Sequence, residues 1–113
     1  MTETSVATIE RLAARVLAET LERNAAEWEK AKVRYGYDYD REDTTVVNVK
    51  PGKVYTKIDV GPAHNISGKY MVDNATGIIY GIKGYGKVHK GHVYGTLDTI
   101  DAWGWGEFTA RRK

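Results

Sequence analysis

The amino-acid sequence predicts an α+β fold, with one long N-terminal amphipathic helix packed on an antiparallel β-sheet of five or six strands. Apolar residues recur at three- and four-residue steps up to about residue 34, which is typical of a helix. After residue 43 apolar and polar residues alternate at about every second position, with glycine between the runs, as in strands joined by short turns. A chain of 113 residues suffices for one domain with a single modest core.

The predicted helix covers about residues 6–34 and ends at Gly36. Its apolar stripe consists of Ile9, Leu12, Ala13, Val16, Leu17, Leu21, Ala25 and Trp28. The opposite face carries a ladder of alternating charge: Arg15, Glu19, Arg23 and Glu27. Such a helix is about 40 Å long, roughly twice the length of a strand. We therefore expect part of it to extend past the sheet and leave apolar surface for a partner or a second copy.

Residues 35–43, YGYDYDRED, form a predicted linker between the helix and the sheet. Their alternating acids have the spacing of a calcium-binding loop. Such a loop needs a glycine at its sixth position and a glutamate at its twelfth, but this chain has Asp43 and Val49 there. The sequence therefore predicts no calcium site.

The sheet is predicted over about residues 44–109, followed by a basic tail at 110–113. Four strands are expected at 44–49, 54–60, 68–72 and 78–82, and a short last strand at 103–109. Pairing Val72 with Ile78 and Tyr70 with Tyr80 places similar side chains opposite each other, and a slip of one residue would exchange the faces.

The segment 81–95, GIKGYGKVHKGHVYG, is rich in glycine and lysine but matches no phosphate-binding loop. No Gly-Lys pair in this segment is followed by serine or threonine, and no helix is predicted directly after Gly86, so nucleotide-binding loops of both common kinds are excluded. Residues 81–84 match the G-x-x-G of KH RNA-binding domains but lack its helix-rich setting. We interpret the segment as a β-hairpin that turns at Lys90 and Gly91.

This hairpin would separate its residues by face. Gly86 would lie opposite Gly95, and Lys83 opposite Asp98, and the glycines would form a trough under the helix. The other face would point to solvent and hold the candidate partner-binding residues Lys83, Tyr85, Lys87, His89, His92 and Tyr94. Cations among aromatic rings are typical of surfaces that stack bases and follow a phosphate backbone. Alternatively, these side chains are cross-strand pairs that support an exposed sheet face.

Trp103 and Trp105 alternate onto one face of the predicted last strand, with glycines behind them. An exposed tryptophan is a strong docking anchor. We include both among the partner-binding candidates, and we expect at least one of them in the core.

The sequence predicts no catalytic residue, no cofactor and no metal site. Thr96, His92 and Asp98 share the proposed hairpin face, but no nucleophile-bearing turn accompanies them. His89 and His92 lack a clear third ligand, and their closeness predicts acid sensitivity through like-charge repulsion instead. The chain has no cysteine and no apolar run long enough for a membrane span or a signal peptide, so we expect a cytoplasmic protein without a membrane partner.

Charge is distributed unevenly along the chain, although the net charge is only +2. Residues 35–45 carry four acids and Arg41 as their one base, whereas residues 50–92 carry seven lysines, two acids and all three histidines. The basic half favours an anionic partner.

The run from residue 67 to residue 108 follows the form KYMV-turn-TG-x-IYGIKGYG-x-VH-x-G-x-x-YGTLDTI with a tryptophan-rich end. It resembles a C-terminal block that recurs in small proteins encoded by bacteriophages and prophages. The resemblance implies a small phage accessory protein acting in the bacterial cytoplasm. Such proteins commonly bind host machinery, including defence systems, or nucleic acid.

Two functions are therefore expected. The first is a non-enzymatic protein that binds a host protein or nucleoprotein complex, with inhibition of a defence or nucleic-acid-handling complex as one outcome. The second is a protein that binds nucleic acid directly through the basic and aromatic sheet face. We expect either a monomer or a homodimer formed through the long helix.

Overall fold

The computed structural model describes residues 6–83, 87–107 and 109–113, and it confirms the predicted α+β class. The elements are α1 (Val6–Tyr35), β1 (Thr45–Pro51), β2 (Tyr55–Pro62), β3 (Ser67–Asp73), β4 (Ile78–Lys83), β5 (Lys87–Thr96), a 3₁₀ helix (Leu97–Ala102), β6 (Trp103–Gly104) and β7 (Arg111–Arg112). The first five strands form an antiparallel sheet in the order β1-β2-β3-β4-β5. Helix α1 packs on one face of this sheet.

Only the first half of α1 enters the core. Leu12 and Val16 are fully buried, but none of the helix side chains after Thr20 is buried, and Val33 is 87% exposed. The predicted extension of the helix past the sheet is therefore confirmed. Gly36 ends the helix with a φ of 74°, and its amide donates to the carbonyl of Lys32 at 2.8 Å. In the described part of the chain, no helix is long and apolar enough to cross a membrane.

The core lies between α1, one face of the sheet and the C-terminal segment that follows β5. The sheet contributes Ile58, Val60, Tyr70, Val72 and Ile79, and the C-terminal segment contributes Leu97, Ile100, Trp105 and Ala110. On β3 and β4 the buried residues alternate with residues of the other face, as the strand geometry requires. On β2 a register shift between Ile58 and Asp59 buries Asp59 as well.

The predicted β3–β4 register is wrong by one residue. Val72 pairs with Ile79, and Tyr70 pairs with Gly81. The turn is shorter than expected because Gly77, at a φ of 75°, donates its amide to the carbonyl of Asp73 at 2.8 Å. Ile79 therefore lies in the core in place of Ile78.

The predicted hairpin turn at Lys90 and Gly91 is also wrong, because both residues lie within β5. Lys83 pairs with Lys87, so the chain reverses between these two residues. Gly81 pairs with His89, but Tyr80 pairs with Val93, so three extra residues form a bulge on β5. The bulge accommodates Gly91 without the positive φ that the turn required, and the pair of Lys83 with Lys87 replaces the proposed pair of Lys83 with Asp98. Gly84 and Gly86 of the proposed trough lie outside the described residues.

The C-terminal segment differs from its prediction as well. A 3₁₀ helix follows β5, capped by Thr96, whose hydroxyl accepts from the amide of Asp98 at 3.3 Å. The expected strand at 103–109 shortens to Trp103–Gly104, and it pairs with Arg111–Arg112 of the supposed basic tail rather than with the main sheet. The reason is packing against α1, since a Cβ on Gly106 would lie 2.5 Å from the carbonyl oxygen of Glu19.

The charged ladder of α1 holds this segment in place. Arg15 donates to Asp101 of the 3₁₀ helix at 2.6 Å, and Glu19 accepts from the backbone amide of Trp105 at 2.9 Å. Arg23 lies 3.3 Å from the carboxylate of Glu107. The hydrogen bond from Arg15 lowers the pKa of Asp101. The alternating charges predict that this face of α1 points to solvent. It instead contacts the C-terminal segment of the same chain.

Candidate functional site

The structure brings five of the predicted contact residues together at the hairpin end of β4 and β5, although not on the expected side. Lys83 lies directly opposite Lys87. By strand alternation they share a face with His89 and with the core residue Ile79. The face is therefore the one that carries α1, at an end where both lysines are exposed. Tyr85 lies outside the described residues.

The bulge in β5 places two more of these side chains over a glycine. A Cβ on Gly81 would lie 3.1 Å from the Cβ of His92 and 3.5 Å from the ring of Tyr94. The rings of His89 and His92 stack in parallel with their centroids 4.1 Å apart. The Nδ1 of His89 is buried and has no hydrogen-bond partner among the described residues. Within those residues no group of three or more His, Asp or Glu side chains is placed to hold a metal ion.

The aromatic candidates that the structure describes, Tyr94, Trp103 and Trp105, pack on or in the core. Tyr94 packs edge-on against Tyr70 at 5.5 Å and against Trp103 at 6.0 Å, and this burial raises its pKa. Trp105 is fully buried, and its indole donates to the carbonyl of Ile100 at 3.0 Å. The assignment of Trp105 as a docking anchor is therefore wrong, whereas the expectation of at least one core tryptophan is confirmed. Trp103 is half-buried.

The other face of the sheet has no covering layer in the described chain, and sequence analysis missed it as a site. The strand registers place one residue of each strand in a single row across this face: Lys50, Lys57, Met71, Tyr80 and Val93. One end of the row is cationic and the other is apolar. The correct registers of β3–β4 and β4–β5 were needed to recognise it.

More apolar side chains flank this row. Tyr55 packs edge-on against Tyr80 with ring centroids 6.3 Å apart, and Val46 and Val93 are 36% and 49% exposed. We call the whole set the open face, which comprises Val46, Lys50, Tyr55, Lys57, Met71, Ile78, Tyr80, Ile82, Val88 and Val93.

A buried carboxylate fixes the cationic end of the open face. Asp59 is 2% exposed, and its oxygens lie 3.1 Å from the Nζ of Lys50 and 3.6 Å from the Nζ of Lys57. A buried carboxylate between two lysines favours conformers of both lysine side chains that stay near it, because moving either away would leave more of its negative charge unpaired. The two ammonium groups therefore lie near one carboxylate, beside the apolar residues.

A groove of about 870 Å³ lies at the far end of the molecule, between the second half of α1 and residues 37–45. Trp28 stacks on Tyr37 with centroids 5.4 Å apart, and it also contacts Tyr39 at 5.6 Å. Five carboxylates line the groove, against Arg41 and His64 as its basic side chains. Sequence analysis took this segment for a linker. The signal that could have found it is the tyrosine at every second position beside the last turns of a helix.

Fold and surfaces together define a small two-layer α+β protein with an open sheet face and an aromatic groove. No family model matches the chain, and comparison with curated proteins and with solved structures finds no significant match.

Proposed function

We propose that this is a non-enzymatic binding protein that docks on another protein through the open face. The observation that carries the proposal is the composition of that face. An antiparallel sheet with one solvated face normally alternates apolar residues inward and polar residues outward. Here the outward positions of β3, β4 and β5 hold Met71, Ile78, Tyr80, Ile82 and Val93, with Asp73 and Thr96 as polar neighbours at one end. An apolar cluster of this kind on a sheet face is typical of a protein interface.

The open face also suggests the chemistry of the partner. Tyr55 and Tyr80 are half-buried and contact each other, so they are pre-positioned anchors with little rotamer freedom left to lose. Lys50 and Lys57 lie at one edge, restrained by Asp59. A matching surface would have an apolar centre with acidic residues on one side.

The resemblance to phage-encoded proteins supports a bacterial partner. We propose a host protein or nucleoprotein complex in the cytoplasm, with inhibition of a defence or nucleic-acid-handling complex as the consequence of docking. The exposed second half of α1 is the surface through which a homodimer, if it forms, would associate.

The test is capture of a stoichiometric partner from bacterial lysate with three forms of the protein. Val93→Asp introduces a charge into the apolar end of the open face, and Ala18→Asp introduces the same charge on an exposed helix position. We expect the native chain and Ala18→Asp to retain the same partner and Val93→Asp to lose it. Equal retention by both variants would exclude the open face as the docking surface.

Direct binding of nucleic acid is the second candidate, supported by the adjacent Lys83 and Lys87 and by the exposed Lys90 and His92. Against it, the Tyr94 ring expected to stack a base is packed on Tyr70. Titration of a labelled single strand at two salt concentrations separates the two functions, because phosphate contacts weaken steeply with salt.

For that titration, Lys83→Gln with Lys87→Gln removes two charges at the hairpin end. Lys30→Gln with Lys113→Gln removes the same number elsewhere. Nucleic-acid binding predicts a flatter salt dependence for the first pair alone. No binding at low salt would eliminate this candidate.

A further inference from the structure

The groove at the far end of α1 combines aromatic rings with carboxylates. Tyr35, Tyr37 and Tyr39 are 62%, 42% and 57% exposed, and they form a chain of ring contacts of 5.9 and 5.7 Å. Trp28 stacks on the middle ring of the three. Large exposed rings at the end of a helix and in the segment after it, outside the core, are typical of a contact surface.

The protein itself indicates which group these rings attract. The guanidinium carbon of Arg41 lies 6.0 Å from the centroid of Trp28, and that of Arg34 lies 5.6 Å from the centroid of Tyr35. Both distances lie within the range of about 6 Å over which a cation is attracted to an aromatic ring. The cluster therefore already accepts two guanidinium groups from its own chain.

The carboxylates of the groove are only partly compensated. Lys32 is shared between Glu29 and Asp40, at 3.1 and 2.7 Å, and its single charge compensates one of the two. Desolvation raises the pKa of Asp43, but hydrogen bonds from Thr45 and Asn24 and the charge of Arg41 outweigh it, so that its pKa is lowered. Among the described residues, no cation lies within ion-pair distance of its carboxylate. Glu42 also lines the groove, and its carboxylate makes no ion pair within the described chain.

We propose that this groove binds an arginine side chain within a cationic segment of a partner protein. The planar guanidinium stacks on Tyr or Trp and donates to Glu42 and Asp43 at the same time, a combination that an ammonium group does not provide. Charge complementarity selects the occupant, because the groove is acidic on a chain whose net charge is +2. The site is separate from the open face and needs neither Val93 nor the sheet lysines.

The test uses a fluorescein-labelled hexa-arginine peptide, with hexa-lysine as the comparison, in anisotropy titrations at low salt. We expect saturable binding of hexa-arginine and weaker binding of hexa-lysine. Trp28→Leu should weaken the arginine peptide about tenfold. Trp28 is half-buried against Tyr37 and Tyr39 and lies outside the core cluster, so thermal melts of this variant should show that it still unfolds cooperatively.

Glu42→Gln and Glu22→Gln are a matched pair of substitutions at exposed positions, where we expect little effect on stability. Both remove one exposed glutamate charge, but only Glu42 lines the groove. We expect a loss of about threefold or more for Glu42→Gln and no change for Glu22→Gln. Equal losses, equal affinity for the two peptides, or no binding of hexa-arginine would overturn the proposal.

A second copy of the chain is the competing occupant, because its basic hairpin end could supply the cation. Sedimentation equilibrium of the protein alone separates this case. A monomer that binds the peptide supports the proposal, whereas a dimer that dissociates in Glu42→Gln but not in Glu22→Gln would assign the groove to self-association.

Discussion

Single residues decide how β5 joins the C-terminal segment. Gly95 has a φ of +75°, and a Cβ there would lie 2.4 Å from the Oγ1 of Thr99 and 2.6 Å from the Nε1 of Trp103. Only glycine satisfies both the backbone conformation and the contact. In the sequence Gly95 is one glycine among many, because the atoms that crowd it belong to Thr99 and Trp103, whose positions depend on the tertiary fold.

Gly95→Ala should therefore be strongly destabilising. Left-handed backbone strain adds about 1–2 kcal/mol and overpacking about 1–3 kcal/mol more. Gly36→Ala is the matched control, since Gly36 has a φ of +74° with nothing within 4 Å of the added Cβ. It should lose only the strain component. Urea unfolding of both variants measures the difference, and equal losses would mean that the contacts around Gly95 are not as described.

At the scale of elements, the sequence predicted the features that depend on neighbouring residues and failed on those that depend on contacts between distant ones. The helix and the first four strands were predicted within about two residues, because their boundaries follow from hydrophobic period, proline and glycine. The β4–β5 register was not predictable in this way. Lys83, Lys87 and His89 are an even number of residues apart, so they share a face in any extended strand. Their grouping on one face is therefore compatible both with the predicted turn at Lys90 and Gly91 and with the observed reversal between Lys83 and Lys87.

The sequence also could not predict which face of the sheet carries these residues. Whether the histidine face points toward α1 or away from it is settled by Trp103 and Trp105, which pack on Tyr94 and Tyr70. These contacts are non-local. The candidate residues at the hairpin end were thus found as a group, while the open face, which depends on registers across five strands, was not.

An engineered disulfide tests the β4–β5 register. The chain has no cysteine, and directly opposed residues of antiparallel strands have Cα atoms about 4.5–5.5 Å apart, within the range that a disulfide spans. Lys83→Cys with Lys87→Cys should oxidise readily to an intramolecular disulfide, detected by mass spectrometry. Lys83→Cys with Asp98→Cys is the control, and preferential oxidation of this second pair would restore the register with a turn at Lys90 and Gly91.

At the scale of the whole molecule, the protein is elongated, with extents of 53 × 29 × 26 Å. One end contains the core, built from the first half of α1, one sheet face and the C-terminal segment. The open face lies on the far side of the sheet from α1, and the aromatic groove lies along the exposed half of the helix. The two surfaces share no residue, so each can be tested by its own substitutions.

The most direct measurement of the central claim is site-specific photo-crosslinking in bacterial cells. A photoreactive amino acid would be placed at Val93 or Val46 on the open face, or at Ala18, which is exposed on α1. Docking through the open face predicts the same crosslinked host protein from both valine positions and none from Ala18. A crosslink to that protein from Ala18, with none from Val46 or Val93, would contradict the account.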